Sequence, residues 1–440
     1  MSNELYSQNG QKTDLHFWVM PNAGFATRRV LDPLIREFEH LNPRVKIRLS
    51  IHPWSLAWNR LVEVVKGRFG GNKPDVFQVG TTWVATLAHL GALDKVPHMG
   101  VFPNEDHQSS YIWDPGSQAD SGEELFCVPW FIDVRALYYR KDLFELVGLS
   151  PDLLQDWKGF FNVCTELKKY LRRSGASTNI LAPLVLPGQK PSVLMHDIAP
   201  WVWGAGGDFF SGDLTVATLD APETITGCEF YYDLINQGFM VIPERDFELR
   251  DFGCGFFNGR YAMQFSGSWP VDSFLNPQYP FSHIEVVNGF DMEMFPAGPH
   301  GRFTFLGGSN LAVSSAGQKK DLAWEFVKFL SEPQRQLAHS RGVGALPARL
   351  ASMDTLFENH SHARRVFMDS IGHARRLPRL VELGSVEQIL YQMGTNLLDT
   401  IRTGTYNHVR LHEELIKANT EMNSVLSLHR YGSKSTELMK

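Results

Sequence analysis

The chain has 440 residues, too many for one compact core, so two or three lobes are expected. Its net charge is −6 with histidine neutral, which excludes a global attraction to nucleic acid. Apolar residues make up 43% of it, and the longest apolar runs stop short of a membrane span, so a soluble protein is expected.

The first segment, MSNELYSQNGQKTD, is polar and lacks the basic-then-apolar layout of a secretory leader. Cytoplasmic residence and a replaced leader both fit it. Leu15 to Met20 reads as a buried strand, followed by a turn at Pro21-Asn22-Ala23-Gly24. A helix follows with Val30, Leu31, Leu34, Ile35, Phe38 and Leu41 on one face, and Asp32-Pro33 marks its start. Asn42-Pro43 ends it. Val45, Ile47, Leu49 and Ile51 then alternate with polar residues, as in a strand with one wet face.

Pro53-Trp54 opens a helix to about Phe69. A strand at 75–79 follows, and Gly80-Thr81-Thr82 leads into a helix from Trp83 to Leu90. This β-α-β-α-β-α rhythm argues for a parallel sheet with right-handed crossovers. Phe126 to Tyr139 reads as two strand segments interrupted at Ile132-Asp133, able to cross from one lobe to another. Helical patterns cover 156–172, 192–203, 222–237 and 318–330. Strands are expected at 261–265, 303–306 and 311–313, with Gly307, Gly308, Ser309 and Asn310 as a turn. From 331 to 430 the chain is mostly helical. No repeat or low-complexity linker appears.

Catalytic signatures are missing. There is no phosphate-binding loop, and Gly204-Ala205-Gly206-Gly207 lacks both the third glycine and the strand of a dinucleotide fingerprint. Asp251-Phe252-Gly253 stands without the other kinase elements. His360, His362 and His373 lie among arginines, and His412-Glu413 lacks a second histidine, so no metal and no cofactor is expected. The cysteines at 127, 164, 228 and 254 have no metal-ligand spacing and read as small buried hydrophobes, with one disulfide left open. Cys254, between two glycines, is the best nucleophile candidate, but it has Arg250 nearby and no His. The pairs Arg364-Arg365 and Arg375-Arg376 read as a solvated helix face.

Eleven tryptophans are many for this length, and Trp54, Trp83, Trp130, Trp203 and Trp269 fall at or beside Gly or Pro corners. The stretches FWVMPN (17–22), LIREFEHLNPRVKIRL (34–49), PDVFQVGTTWVATLAHLGAL (74–93), VPWFIDVRALYYRKDLFELVGL (128–149), FFNGRYAMQFSGSW (256–269), FLGGSNLAVSS (305–315), AWEFVKFLSEPQRQ (323–336) and VGALPAR (343–349) follow one another in a known order. In them the chain resembles the family 1 extracellular solute-binding proteins, the carbohydrate receptors of ABC importers.

That resemblance implies an α/β, two-lobed periplasmic-binding-protein-like fold with a central cleft, a hinge of crossing segments and a helical C-terminal region. Lobe 1 would be mainly 12–130, lobe 2 mainly 131–300, with 301–340 returning to lobe 1 and 341–440 packing on the lobes as helices. It implies a non-enzymatic receptor for an oligosaccharide or sugar derivative, a membrane permease as partner, a monomer, and a periplasmic or extracytoplasmic home with the leader outside this numbering. A sugar presents hydroxyl rims and apolar C–H faces, so aromatic platforms and amides suit it.

By resemblance the first-lobe candidates are Asn22, Gly24, Thr82 and Trp83, with Trp54 and Trp58 near the rim but mainly packing. Trp130 and Asp133 fall where the chain crosses, and for Asp133 a cleft-facing and a hinge-capping role both stand. The second-lobe candidates are Trp203 in the WGAGG loop, Ser268 and, most of all, Trp269. Gly308 and Asn310 would offer ligand contacts from their turn, and Arg341 a charged donor. Two other readings stand beside transport: a sensing module coupled to a signalling partner, and an enzyme on the same scaffold using Cys254 or paired carboxylates.

Overall fold

The apolar runs of the first third become three strands, Thr13–Val19 (β1), Val45–Ile51 (β2) and Val76–Gly80 (β3). β1 pairs parallel with β2 from Thr13↔Val45 to Val19↔Ile51, and parallel with β3 at Phe17↔Val76. The computed structural model describes residues 12–22, 27–97, 125–174, 180–185, 191–241, 256, 259–269, 271, 289–357 and 361–437. Its later strands are Val128–Val134 (β4), Ala136–Arg140 (β5), Ala182–Val185 (β6), Met240–Val241 (β7), Tyr261–Ser266 (β8), Phe290–Glu293 (β9), Thr304–Val313 (β10), Leu346–Pro347 (β11) and Ala374–Arg375 (β12).

The chain divides into two units. Unit 1 holds Met1–Asp133, Gly307–Arg364 and Arg379–Val381; unit 2 holds Val134–Leu306, Arg365–Pro378 and Glu382–Lys440. The region from 341 onward is therefore not one body. It serves unit 1 up to Arg364, while its two longest helices, Leu383–Arg402 and His408–Glu437, belong to unit 2.

In unit 1 the strands run in the order β11-β4-β10-β3-β1-β2, with β10 antiparallel to β3. Because successive side chains leave opposite faces, one sequence feeds two cores. Leu15, Phe17, Val19, Val76, Leu311 and Val313 meet Leu31, Leu34, Ile35 and Phe38 of the helix Thr27–Leu41, and Phe326, Val327 and Leu330 of the helix Lys320–Ser331. Trp18, Phe77, Val79 and Ala312 meet Ala57 and Leu61 of the helix Trp54–Val65, and Trp83, Val84 and Leu87 beyond β3. A sheet covered on both faces needs near-continuous apolar strands, which is what VFQVG and LAV supply.

Two expectations change here. Pro33 does not start its helix, which begins at Thr27 and carries the proline inside. An internal proline costs roughly 3 kcal/mol. Burial of Leu31, Leu34, Ile35 and Phe38, at about 1.5–3 kcal/mol each, outweighs it. The glycines at 307–308 do not turn either, because β10 runs unbroken through them. Gly308 holds φ +146, and a Cβ there would stand 2.3 Å from the Phe131 carbonyl oxygen, so only glycine lets β10 lie this close to β4.

Unit 2 has its own sheet in the order β7-β6-β8-β5-β9, mixed in direction. The strand break read at Ile132-Asp133 falls at Arg135 instead. Over this sheet Trp157, Trp201, Phe230, Phe265 and Phe295 form one aromatic group, with Trp157 stacked on Phe230 at 4.3 Å and Phe265 on Phe295 at 4.4 Å. The terminal helix is tied in by its amides: Asn419 accepts from Leu219 N at 3.0 Å and Asn423 from Ala217 N at 2.8 Å. His408 and His412 add contacts to Asp233 and Glu229 of the helix Pro222–Asn236. Among the described residues no helix is long and apolar enough to cross a membrane.

Candidate ligand-binding site

The carboxyl ends of β1, β2 and β3 lie side by side in unit 1, the end of a parallel sheet where open α/β folds meet their ligands. Three corners leave it: Met20-Pro21-Asn22 after β1, His52-Pro53-Trp54 after β2, and Thr81-Thr82-Trp83 after β3. β10 passes the same edge, with Ser309 opposite Gly80.

A polar hub sits there. Gln78 is 1% exposed in an otherwise apolar strand. Its Oε1 accepts from Met20 N at 3.0 Å and from Asn22 Nδ2 at 3.2 Å. Its Nε2 donates to Asn22 Oδ1 at 3.0 Å and to Ser309 Oγ at 2.7 Å. A buried amide without partners would cost several kcal/mol, and this one has all four positions filled. Thr81 adds an O–H bond to Gly308 O at 3.2 Å. Asn22 and Thr82 are half-buried.

The aromatic part comes from two corners. Trp83 is 8% exposed and packs edge-on against Trp54 at 6.1 Å and tilted against Trp58 at 5.5 Å. Trp54 and Trp58, both half-buried, keep more surface than Trp83 does. Beneath them Trp18 lies 4.2 Å from the His52 ring. Burial and the Arg60 guanidinium hold His52 down at about 4, so it is neutral near pH 7. Asn22, Gln78, Thr81, Thr82 and Ser309 are uncharged as well. These side chains suit a ligand with hydroxyls and an apolar face.

Other predicted residues fall elsewhere. Asn310 shares the edge but not the face: it pairs with Val79, lies 1% exposed on the Trp83 side of the sheet, and is turned away from Ser309. Trp130 is fully buried in the core, stacked on His339 at 3.9 Å and tilted against Phe17 at 6.3 Å, so its faces are already covered. Asp133, half-buried, is the last residue of unit 1 before the chain enters unit 2. Gly24 lies outside the described residues, as do Cys254 and His360. Arg341 spends its guanidinium on Thr355 O at 2.9 Å.

In unit 2, Trp203 is not on a loop. It belongs to the helix Pro191–Gly204, is 2% exposed, and has the Arg375 guanidinium 5.1 Å from its ring. Arg375 is in turn paired with Asp208. Trp269 is half-buried after β8, with Arg135 at 4.9 Å from its ring centre. Any Cβ at Gly267 would stand 2.0 Å from that ring, so this glycine seats the indole. Ser268 is 5% exposed. Cys164 and Cys228 are buried, and burial raises both thiols, Cys228 to about 12, so neither supplies a thiolate at neutral pH. Among the described residues no group of His, Cys, Asp and Glu is placed to hold a metal ion.

Sequence reasoning named Asn22 and passed over Gln78. The signal was present, since a lone amide inside a buried parallel strand demands partners.

Two α/β units, with a polar and aromatic edge at the carboxyl ends of the unit 1 strands, define a periplasmic-binding-protein fold. The chain belongs to the bacterial extracellular solute-binding proteins, whose family profile matches residues 26–337. It is 26% identical over 363 residues to the diacetylchitobiose binding protein DasA of Streptomyces coelicolor, covering 80% of this chain and 77% of that one. Two solved structures share the fold. The GacH receptor of Streptomyces glaucescens is 19% identical with a TM-score of 0.75, over 94% of this chain and 99% of that one. The sugar-binding protein MalE of Xanthomonas citri is 22% identical with a TM-score of 0.73, over 96% and 99%.

Proposed function

We propose that the protein is a non-enzymatic receptor that captures a neutral saccharide outside the cytoplasm and passes it, as a monomer, to the permease of an ABC importer. The observation that carries this reading is the saturated Gln78 amide holding Asn22 at the same strand ends that bear Trp54, Trp58 and Trp83. Asn22 and Thr82 are the polar contacts we assign to the ligand, and Trp54 and Trp83 its apolar wall. In unit 2 we assign Trp269 as a further stacking surface. The names of DasA, a diacetylchitobiose binding protein, and of MalE, a sugar-binding protein, support the ligand class.

The test is a ligand screen. Methyl glycosides, maltose, cellobiose and N,N′-diacetylchitobiose are titrated while tryptophan fluorescence and melting temperature are followed. One class should shift both, and ligand at about 100 times its Kd should add about 2.7 kcal/mol of stability. No response to any saccharide, with a response to a peptide or an anion, would remove the assignment. Product analysis of the bound sugar checks the non-enzymatic part: turnover would contradict it.

A further inference from the structure

Asn and Gln side chains look alike in shape when flipped, yet a flip exchanges donor for acceptor. In unit 1 the flip is decided by the backbone. Met20 N–H can only donate, so the group of Gln78 facing it must be Oε1. That places Nε2 toward Asn22 Oδ1 and Ser309 Oγ. Asn22 must then turn its Nδ2 to Gln78 Oε1, completing a reciprocal amide pair. The order passes from a main-chain N–H, through a 1%-exposed glutamine, to a half-buried asparagine.

The remaining capacity follows by inventory. An asparagine amide has two N–H donors and two carbonyl lone pairs, and Gln78 uses one of each. One N–H and one lone pair are left, on opposite flanks of the Asn22 amide, because the reciprocal pair uses its head edge. We propose that Gln78 is a positioning residue: it sets which flank of Asn22 donates and which accepts, and so selects a saccharide whose accepting and donating hydroxyls fall on those flanks in that order. This rests on the carbohydrate reading above and deepens it. Gln78 touches no ligand; it acts through Asn22. Its second N–H bond, to Ser309, ties the pair to β10 and leaves the Ser309 proton to point elsewhere.

Gln78→Glu separates positioning from mere support. An ionised carboxylate still accepts from Met20 and Asn22 but cannot donate, so it faces Asn22 Oδ1 and Ser309 Oγ with lone pairs and unlocks the asparagine. Once protonated, it regains one donor. A carboxyl buried this deeply titrates above the usual carboxylate range. The probes are the best-binding methyl glycoside or disaccharide of the screen and its monodeoxy analogues. Wild type should lose about tenfold or more in affinity at two deoxy positions, one for each flank of Asn22, because a site built to bond a hydroxyl rejects its absence. At about pH 8 Gln78→Glu should bind roughly tenfold more weakly and discriminate less, and should recover toward about pH 5 while wild type stays flat.

Gln78→Met, of similar volume and without polar groups, covers the case in which the glutamate variant does not fold. It should keep binding but shrink the deoxy discrimination to about threefold or less. Unchanged discrimination in either folded variant, or a loss in Gln78→Glu that is equal at every pH, overturns the positioning role while leaving the carbohydrate reading intact. A wild-type protein that binds no saccharide at all overturns both.

Discussion

Trp54, Trp83 and Trp130 are the same residue in three settings, and exposure decides what each can do. Trp83 is 8% exposed and interleaved with Val84 and Leu87, so its removal strikes the core and the proposed wall together. Trp54 keeps part of its surface while leaning on Trp83. Trp54→Ala should therefore lower stability by less than about 2 kcal/mol yet weaken saccharide binding about tenfold or more, as measured by denaturation and titration of one preparation. Trp130→Ala should do the reverse. Its ring is sealed against His339 and Phe17, so the loss should be about 3–5 kcal/mol, with the affinity of the folded protein within about threefold of wild type. A large, selective loss of binding in Trp130→Ala would return it to the site. Composition drew attention to tryptophan without separating these roles, because the partner that covers Trp130 lies more than two hundred residues away, at His339. Gln78 is the opposite case: its meaning was local, a polar side chain where the strand allowed only apolar ones.

Elements were legible where periodicity was strong and misread where one glycine carried a tertiary contact. The helices Trp157–Ser174, Pro222–Asn236 and Lys320–Ser331 begin and end within two residues of the pattern in the chain. β10 was split in two because Gly307-Gly308 has the composition of a turn, and nothing nearby reveals that Phe131 will approach from β4. Gly308→Ala tests that explanation. With φ at +146 and the Phe131 oxygen 2.3 Å from the added methyl, either β4 and β10 separate or the backbone rotates. The expected cost is about 3 kcal/mol or more, with hydrogen-exchange protection falling first in β4 and β10. Gly317→Ala, in a position with no positive φ and 3.3 Å from the nearest atom, should cost far less. Equal effects at the two positions would remove the close approach as the cause.

At the scale of the whole molecule, each unit buries a neutral histidine against an aromatic ring on a strand that continues into the other unit. His339 stacks on Trp130 of β4 at 3.9 Å, and His196 on Phe305 of β10 at 3.8 Å. Burial lowers His339 from 6.5 to about 3, and burial together with the Arg135 charge lowers His196 to the same value. The unfolded chain takes up a proton at each as pH falls below about 6.5, while the folded chain resists until about 3. Unfolding therefore gains protons in this window, and stability must fall as pH is lowered through it. Above pH 6.5 both states are neutral at these sites, and the contribution no longer changes with pH. Urea denaturation at steps from about pH 7 to about pH 4 should show the midpoint dropping, as the unfolding free energy falls by an amount on the order of several kcal/mol for the two groups together. His339→Phe keeps a ring over Trp130 and removes the proton site, and His196→Phe does the same over Phe305. Each should flatten part of the slope, and together most of it. A wild-type midpoint that stays level across the window, or a slope unchanged in the double variant, would show that other groups govern the acid response.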